Sequence, residues 1–336
     1  MNASLPEIEL PATRLPEDAC PSVIADLLAL CKARLCALVV FTAAVGFALA
    51  AGRWFDWAAF AWMLIGTTLS AFGANAANQC MEVDRDARMK RTRNRPLPSG
   101  RLDRGTAAMV AVAMCVAGPA VLLFSVNWVT AALSAACIII YIAIYTPLKT
   151  RSTANTFVGA VCGAIPPMMG WSAATGTLEP GAFVLGAILF VWQIPHFLAL
   201  AWMYREDYQR GGYRMLPLFD PAGQLTCQAI VIYSLMLVPV TLLLTLSGVV
   251  GVVYAAAALL LGVGLILLGV RLYRERTLAS ARGVFLASVI YLPVLMGVML
   301  VDRPSPRVFV VPAEATRTPP PSGVTLATVA RPLEQP

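Results

Sequence analysis

The sequence predicts an all-α, polytopic membrane protein with about nine transmembrane helices. Hydrophobic residues make up 59% of the 336 residues and charged residues only 13%, and the mean hydropathy is +0.74. A soluble domain usually carries about 25% charged residues. The apolar residues also fall into runs of roughly 17–25, the length at which a helix crosses about 30 Å of hydrocarbon.

Nine such runs follow one another, and each predicts one span. The fifth contains Gly163, Pro166, Pro167 and Gly170, so we expect it to approach a neighbour closely and to be a broken helix. The predicted ranges are 33–51, 57–79, 105–125, 129–147, 156–173, 182–203, 228–247, 250–270 and 283–301.

The two ends of the chain differ from the spans. Residues 1–26 are acidic and contain Pro, and residues 302–336 are rich in Pro, Thr and Ala. We expect both to be flexible tails around one intramembrane domain, 27–301. The first apolar run starts too late for a signal peptide, and the N-terminal segment is too acidic for a mitochondrial presequence. These features indicate a bacterial cytoplasmic (inner) membrane.

The basic residues predict the orientation. With the N-terminus inside, cytoplasmic segments hold 20 of the 25 Lys and Arg residues, and the short outer loops hold only Arg53. This is the positive-inside pattern, so the N-terminus and the charged loops should be cytoplasmic and the C-terminus outside. The net charge of +7 is then a signal of topology. We expect membrane lipid, and no nucleic acid, around the protein.

An acidic motif ends the second span. Asn78, Glu82 and Asp86 are four residues apart, so they line one face of a helix. Carboxylates at that spacing repel each other at a membrane edge unless a cation lies between them. Mg²⁺ prefers such oxygen ligands and keeps positions for water and phosphate. Asp84 lies on another face and is expected to pair with Arg88. For the carboxylates alone, a solvated helix end with ion pairs remains the alternative.

A basic run follows the acidic motif and exceeds what orientation requires. A diphosphate that bridges Mg²⁺ and guanidinium groups would use such residues. The run comprises Lys90, Arg91, Arg93, Arg95 and Arg101.

Two further polar elements are expected near the acidic motif, at the cytoplasmic edge of the helices, which we call the rim. At the end of span six, Asp207 has Arg205, Arg210 and Arg214 around it. Helical counting places His196 on the face of Asp207 but roughly 16 Å deeper. An ionisable group at that depth more often lines a functional cavity than packs in a core, and Pro195 would help to open the cavity.

The third element follows span four, where Lys149 and Arg151 are the only charges in YTPLKTRSTAN. By the predicted topology, both residues lie at the same cytoplasmic rim as the two acidic elements.

These motifs resemble a known family. Asn78-xxx-Glu82-xxx-Asp86 with MKRTRNRPLPSGR, then YTPLKTRST, GAIPPMMGW, WQIPHFLALAWMYREDY and GGYRMLP, are similar to the protoheme IX farnesyltransferase (haem O synthase) branch of the UbiA-type intramembrane prenyltransferases. The resemblance covers about residues 27–300. RTRNRPLPSGR and WQIPHFLALAW are specific to this branch.

The resemblance implies nine helices around a central cavity. Farnesyl diphosphate would bind through one or two Mg²⁺ ions, and haem B would be the acceptor substrate, converted to haem O for terminal oxidase assembly. A haem A synthase or oxidase assembly factors are candidate partners. The implied catalytic residues and metal ligands are Asn78, Glu82, Asp86 and Asp207. The expected substrate-binding residues are Lys90, Arg91, Arg95, Tyr145, Lys149, Arg151, His196 and Arg214.

Three questions stay open at this point. Glu82 replaces the usual Asp, and Gly211 stands where many relatives have a second Asp. The second motif therefore offers few ligands, and the number of Mg²⁺ ions, one or two, stays open. His196 has three candidate roles: contact with haem iron, a hydrogen bond to a propionate or to the quenching water, or a structural bond to a neighbouring helix. We expect contact with haem. A prenyltransferase for an aromatic quinone precursor or chlorophyllide, and a secondary transporter, are the alternative functions.

Overall fold

The computed structural model describes residues 22–52 and 55–303, and within these ranges all regular structure is helical. Nine described helices are long and apolar enough to cross a membrane, which confirms the predicted number of spans. They are α2 (Ala33–Ala50), α3 (Trp57–Asp86), α4 (Arg104–Ser125), α5 (Trp128–Ile139) continued by a π-helical turn (Ile140–Tyr145) into α6 (Thr146–Leu148), α7 (Asn155–Thr175), α8 (Pro180–Met203), α11 (Gln224–Leu246), α12 (Val252–Glu275) and α13 (Leu278–Val301).

Three short helices lie outside the spans: α1 (Val23–Leu30), α9 (Arg205–Arg210) and α10 (Leu216–Phe219). Helix α1 begins inside the segment that we predicted to be a flexible tail. Arg101 holds it by ion-pairing with Asp26 at 3.0 Å. The rest of the N-terminal tail, and the C-terminal tail beyond Arg303, lie outside the described residues.

Close backbone approach holds the spans together. Helix α3 packs along α4, and α7 packs between α2 and α8. A Cβ atom added to Gly73 of α3 would lie 2.6 Å from the backbone nitrogen of Cys115 in α4, and a side chain at Gly170 of α7 would collide with the carbonyl of Ala43 in α2. Small residues at these positions let the helices meet without leaving space for lipid.

The expected break in the fifth span is wrong, although the expected close approach is confirmed. Helix α7 continues from Asn155 to Thr175 through Pro166 and Pro167. Proline at 166 leaves the carbonyl of Cys162 without its helical donor. The thiol of Cys137 donates to that carbonyl at 3.4 Å, so a neighbouring helix satisfies the group that the proline releases.

The bundle encloses the expected central cavity, with a volume of about 200 Å³. Residues of α2, α3, α5, α7, α8 and α13 line it, and most of them are apolar. A few polar side chains interrupt this lining, notably Asn75, Tyr141, Gln193 and His196. The cavity therefore offers an apolar volume with a small number of placed polar groups, the usual composition of a small-molecule site.

Candidate active site at the end of α3

The three residues of the acidic motif lie buried at the C-terminal end of α3. The exposed fractions of Asn78, Glu82 and Asp86 are 0%, 4% and 1%. The helix continues to Asp86, seven residues past the predicted end of the span at 79. This extension keeps the motif on one helical face, as the spacing predicts.

A cation from a different segment contacts each of these residues. Lys149 Nζ donates to both Glu82 oxygens, at 2.9 and 3.1 Å. Arg95 pairs with Asp86 at 2.7 Å. Lys32 Nζ donates to Asn78 Oδ1 at 2.8 Å. The structure thus brings together α3, the basic run and the loop after span four, three of the segments that we expected to meet.

The expected pairing of Asp84 with Arg88 is wrong. Asp84 is exposed, and none of the ion pairs among the described residues includes it. Helix α3 ends at Asp86, so Arg88 lies beyond the last turn. The helical geometry that would bring the two side chains together ends before it.

Lys32 is a residue of the site that the sequence did not reveal. It lies at the joint between α1 and α2 in the left-handed backbone region, with φ 50° and ψ 51°, which is uncommon for a residue with a side chain. Gln79 of α3 fixes the joint by donating to the carbonyls of Ala29 and Leu30, at 2.9 and 2.6 Å. Burial, followed by repulsion from Arg95 and Lys149, lowers the pKa of Lys32 to about 7.

The end of span four is tied to the acidic motif. Asn78 Nδ2 donates to Thr146 Oγ1 at 3.1 Å, and the Thr146 hydroxyl donates to the carbonyl of Tyr141 at 2.8 Å. Lys149 Nζ lies 4.7 Å from the ring centroid of Tyr145. Burial lowers the pKa of Lys149, but the attraction of Tyr145 and Glu82 outweighs it, so the pKa stands well above its ordinary value.

Asp207 holds the basic run in place. Its two carboxylate oxygens accept hydrogen bonds from the backbone nitrogens of Lys90 and Arg91, at 3.2 and 3.3 Å, and Arg210 pairs with it at 3.4 Å. Asp207 therefore contacts a segment 117 residues away, and it belongs to the same rim as the α3 motif. These contacts make it an anchor for the loop that carries Arg95.

The helical face that we expected Asp207 to share with His196 does not exist. Helix α8 ends at Met203, and Tyr204, with φ −112° and ψ 25°, separates it from α9. Counting residues along one continuous helix is therefore valid only as far as Met203.

The remaining basic residues lie farther from the carboxylates. Arg91 stacks on the rings of Tyr204 and Tyr208, 4.9 and 5.7 Å from their centroids. The guanidinium of Arg214 lies 4.8 Å from the centroid of Phe219, instead of beside Asp207 as expected. The exposed residues of the set are Lys90, Arg91, Arg151 and Arg214.

The donors on α3 fit a hard divalent cation better than a soft one, because they are two carboxylates and one amide oxygen. Within the described part of the chain, no cluster of three or more His, Cys, Asp and Glu side chains forms a metal site. An ion here would therefore need further oxygens from a substrate. Gly211 adds no ligand, and a Cβ there would lie 2.9 Å from the ring of Tyr213.

His196 lines the cavity, and only one of its two ring nitrogens is hydrogen-bonded to a described residue. Its ring stacks between Trp192 and Phe285. Nδ1 lies 2.9 Å from Ser288 Oγ, and that hydroxyl donates to the carbonyl of Phe285 at 2.6 Å. Because Ser288 has one proton, Nδ1 is the donor in the first bond and Nε2 carries a lone pair. No hydrogen bond from a described residue occupies Nε2, although the ring borders the cavity.

The cavity reaches towards the charged rim. Asn75, one helical turn before Asn78, lines it, and Tyr141 does so from the π-helical turn and donates to Asn75 Oδ1 at 3.3 Å. A molecule with an anionic head at the rim and an apolar tail in the cavity would match this arrangement.

Comparison with known proteins agrees with this geometry. Residues 39–307 match the UbiA prenyltransferase family. The protoheme IX farnesyltransferase of Solibacter usitatus (strain Ellin6076) is 43% identical over 288 residues, which cover 83% of this chain and 99% of that protein. The mitochondrial protoheme IX farnesyltransferase of Homo sapiens is 43% identical over 287 residues, covering 85% of this chain and 63% of that protein. The structure of a UbiA homologue from Archaeoglobus fulgidus, bound to GPP and Mg²⁺, is 13% identical, has a TM-score of 0.62, and matches over 82% of this chain and 99% of that one.

Proposed function

Because this chain belongs to the UbiA prenyltransferase family and, within it, to the protoheme IX farnesyltransferases, we propose that it transfers the farnesyl group of farnesyl diphosphate to a vinyl group of haem B. Water is added in the same reaction, and the products are haem O and diphosphate. The observation that carries the proposal is 43% identity over 99% of a protoheme IX farnesyltransferase. The charged rim at the mouth of an apolar cavity supplies the matching site.

The haem species in membranes that express this chain tests the proposal. Extraction and chromatography with mass detection should give haem O, and membranes carrying the Asp86→Asn variant should give haem B alone. An isolated-membrane assay with farnesyl diphosphate and either haem B or a phenolic acid separates this activity from that of a quinone-precursor prenyltransferase. Prenylation of the phenolic acid and not of haem B would refute the proposal.

The diphosphate binds at the rim, between the cations that now contact α3. Lys149 and Arg95 are its principal contacts. They lie 2.9 and 2.7 Å from Glu82 and Asp86, and they would be released for the diphosphate if a metal ion bound these two carboxylates. Arg91 adds positive charge beside them, and the ring of Tyr145 contacts the Lys149 ammonium group at 4.7 Å. Lys90, Arg151 and Arg214, whose side chains are exposed, contribute to the field that attracts the anion.

Asn78, Glu82 and Asp86 would hold one Mg²⁺ ion, together with oxygens of the diphosphate. The homologue from Archaeoglobus fulgidus binds GPP and Mg²⁺ on the same fold. Such an ion would stabilise the negative charge that builds on the leaving diphosphate. A second ion would have to draw Asp207 away from the amides of Lys90 and Arg91, and Gly211 supplies no ligand, so the donor set favours a single ion.

The transfer needs a leaving group that is stabilised and a cavity that excludes water. The allylic C–O bond breaks, and its electron pair leaves with the diphosphate towards Lys149 and Arg95. The π electrons of the haem vinyl group form the new bond to farnesyl C1. Water then adds to the resulting cation and releases a proton. The apolar lining of the cavity protects the allylic cation from water before the vinyl group attacks.

His196 contacts the haem through Nε2. Its Nδ1–H is held by Ser288, so the bond to a neighbouring helix and the contact with haem are compatible roles for the two nitrogens. Nε2 is then an iron ligand or an acceptor beside the reacting edge. The propionates are charged and belong at the cationic rim, where Lys149 and the arginines lie.

The protein is a polytopic membrane protein, and we place it in the bacterial cytoplasmic membrane with the rim facing the cytoplasm. Twenty of its 25 Lys and Arg residues then lie inside, and an odd number of spans puts the C-terminus outside. Haem O has to pass to a haem A-forming enzyme or to a terminal oxidase, so a haem A synthase or oxidase assembly factors would be the partners.

A further inference from the structure

Tyr213 presents an unsatisfied hydroxyl at the rim. The residue is 5% exposed, and its Oη faces Glu82 but makes no hydrogen bond of normal geometry within the described ranges. A buried hydroxyl without a partner is destabilising, because it has lost the water that it bound in the unfolded chain. An unpaired buried polar group in a native protein requires an explanation, and contact with a ligand is one of them.

The surroundings of Tyr213 fix where its hydroxyl lies. The ring packs edge-to-face on Tyr208, with centroids 6.0 Å apart, and it fills the space beside Gly211, where a Cβ would lie 2.9 Å from it. Lys149 Nζ is 5.7 Å from the ring centroid. The hydroxyl therefore lies close to the Glu82–Lys149 pair.

We infer that the Tyr213 hydroxyl donates a hydrogen bond to the diphosphate of the prenyl substrate; this inference rests on the proposed function. When the diphosphate takes Lys149 from Glu82, its oxygens come to the part of the rim where Tyr213 lies beside Lys149. A neutral donor suits this place, because a carboxylate would repel the anion and an additional cation would compete with the metal ion. The donor gains its partner only when substrate is bound.

The test is Tyr213→Phe in the full-length protein, purified into phosphatidylcholine nanodiscs with Mg²⁺. Titration calorimetry measures the affinity for inorganic pyrophosphate and for farnesyl diphosphate, and tryptophan fluorescence measures the unfolding temperature without ligand. We expect roughly tenfold weaker binding of both diphosphates. The unfolding temperature without ligand should be unchanged or higher, because the variant removes a group that has no partner in the protein.

Tyr291→Phe is the matched control. The Tyr291 hydroxyl is also buried and unpaired among the described residues, but it lies on α13 in the apolar core. Its removal should leave the affinity for both diphosphates unchanged. A tenfold loss in both variants would indicate a general packing effect and would overturn the inference.

The remaining outcomes are also decisive. Unchanged diphosphate affinity in Tyr213→Phe overturns the inference and leaves the proposed function intact. A lower unfolding temperature without ligand shows that the hydroxyl has a partner in the protein, which also overturns it. A wild type that binds neither diphosphate overturns the proposed function as well. A last outcome concerns lipid. If pyrophosphate binds more weakly when phosphatidylglycerol replaces phosphatidylcholine in the nanodiscs, and farnesyl diphosphate does not compete with pyrophosphate, then the hydroxyl contacts a lipid phosphate and the inference is overturned.

Discussion

Lys149 Nζ lies 2.9 Å from Glu82 Oε1 and 3.1 Å from Oε2, although 67 residues separate the two in the chain. Both side chains are largely buried, at 12% and 4% exposure. Each group therefore depends on the other for its charge compensation. Without substrate, Lys149 neutralises the carboxylate that we assign to the metal ion. In the proposed reaction, the diphosphate would contact the lysine and the carboxylate would then be free to hold the ion.

Lys149→Ala should therefore reduce both binding and stability. We expect the Michaelis constant for farnesyl diphosphate to rise by roughly tenfold or more, and the free energy of unfolding to fall by about 3 kcal/mol, because Glu82 is left as a buried unpaired charge. Steady-state kinetics and thermal unfolding measure the two effects. The double variant Lys149→Ala/Glu82→Gln should recover stability but not activity. Unchanged kinetics in Lys149→Ala would exclude Lys149 from the diphosphate site.

Glu82→Gln and Asp86→Asn should each lower haem O formation by roughly 100-fold, because each removes a charge that holds the ion against the leaving group. Both changes preserve side-chain shape, so membrane insertion should remain normal, but Glu82→Gln leaves Lys149 without its carboxylate partner and should lower the free energy of unfolding. The direct measurement is activity as a function of Mg²⁺ concentration. The Mg²⁺ concentration that gives half of the maximal activity should be higher in both variants. Asp84→Asn is the control, because that side chain is exposed, and its effect should be small. Near-normal activity in Asp86→Asn would contradict the metal site.

The spans and the acidic motif could be predicted because the information is local. Apolar run length determines a membrane helix, and four-residue spacing places Asn78, Glu82 and Asp86 on one face wherever the helix continues. The convergence of Lys149 and Arg95 on that motif followed from topology, since loops on one side of a membrane lie near each other. Their assignment to substrate remains a prediction.

The missed features all depend on contacts between distant residues or on special backbone geometry. Lys32 looked like one more cytoplasmic charge, because a left-handed backbone at a lysine has no sequence signature. The anchoring contacts of Asp207 were not predicted, because its bonds to backbone amides 117 residues away leave no pattern in side-chain types, and its assignment as a metal ligand remains a prediction. The apolar run ended at residue 203 as observed, but the shared face of Asp207 and His196 assumed that the helix continued past Tyr204, and the break there has no clear sequence signal.

Lys32→Asn should weaken diphosphate binding by roughly fivefold to tenfold without lowering stability. Asparagine adopts the left-handed region readily, so the change removes the ammonium group and preserves the joint between α1 and α2. Lys32→Arg should retain part of the affinity. Arg34→Gln is the matched control, because it removes an exposed charge two residues away with the same effect on topology. Equal effects of Lys32→Asn and Arg34→Gln would show that Lys32 acts only through net charge.

Asp207→Ala should loosen the basic run. The amides of Lys90 and Arg91 lose their acceptors, so trypsin should cleave the segment 88–103 faster, and turnover should fall as Arg95 becomes less well positioned. The half-maximal Mg²⁺ concentration should change little if Asp207 is an anchor. A large increase in that concentration, with unchanged proteolysis, would instead make Asp207 a metal ligand and would favour a second ion.

His196→Ala should separate haem binding from diphosphate binding. Nδ1 is committed to Ser288, so loss of Nε2 removes the group that we assign to haem. The Soret band of bound haem B should shift and haem affinity should fall, while farnesyl diphosphate affinity stays within about twofold of wild type. Ser288→Ala is the informative control, because it removes the partner of Nδ1 but leaves Nε2 in the cavity. If Nε2 contacts the iron, Ser288→Ala keeps the position of the Soret band and loses only part of the haem affinity. An unchanged spectrum and affinity in His196→Ala, with a lower unfolding temperature as the sole effect, would mean that the histidine only joins α8 to α13.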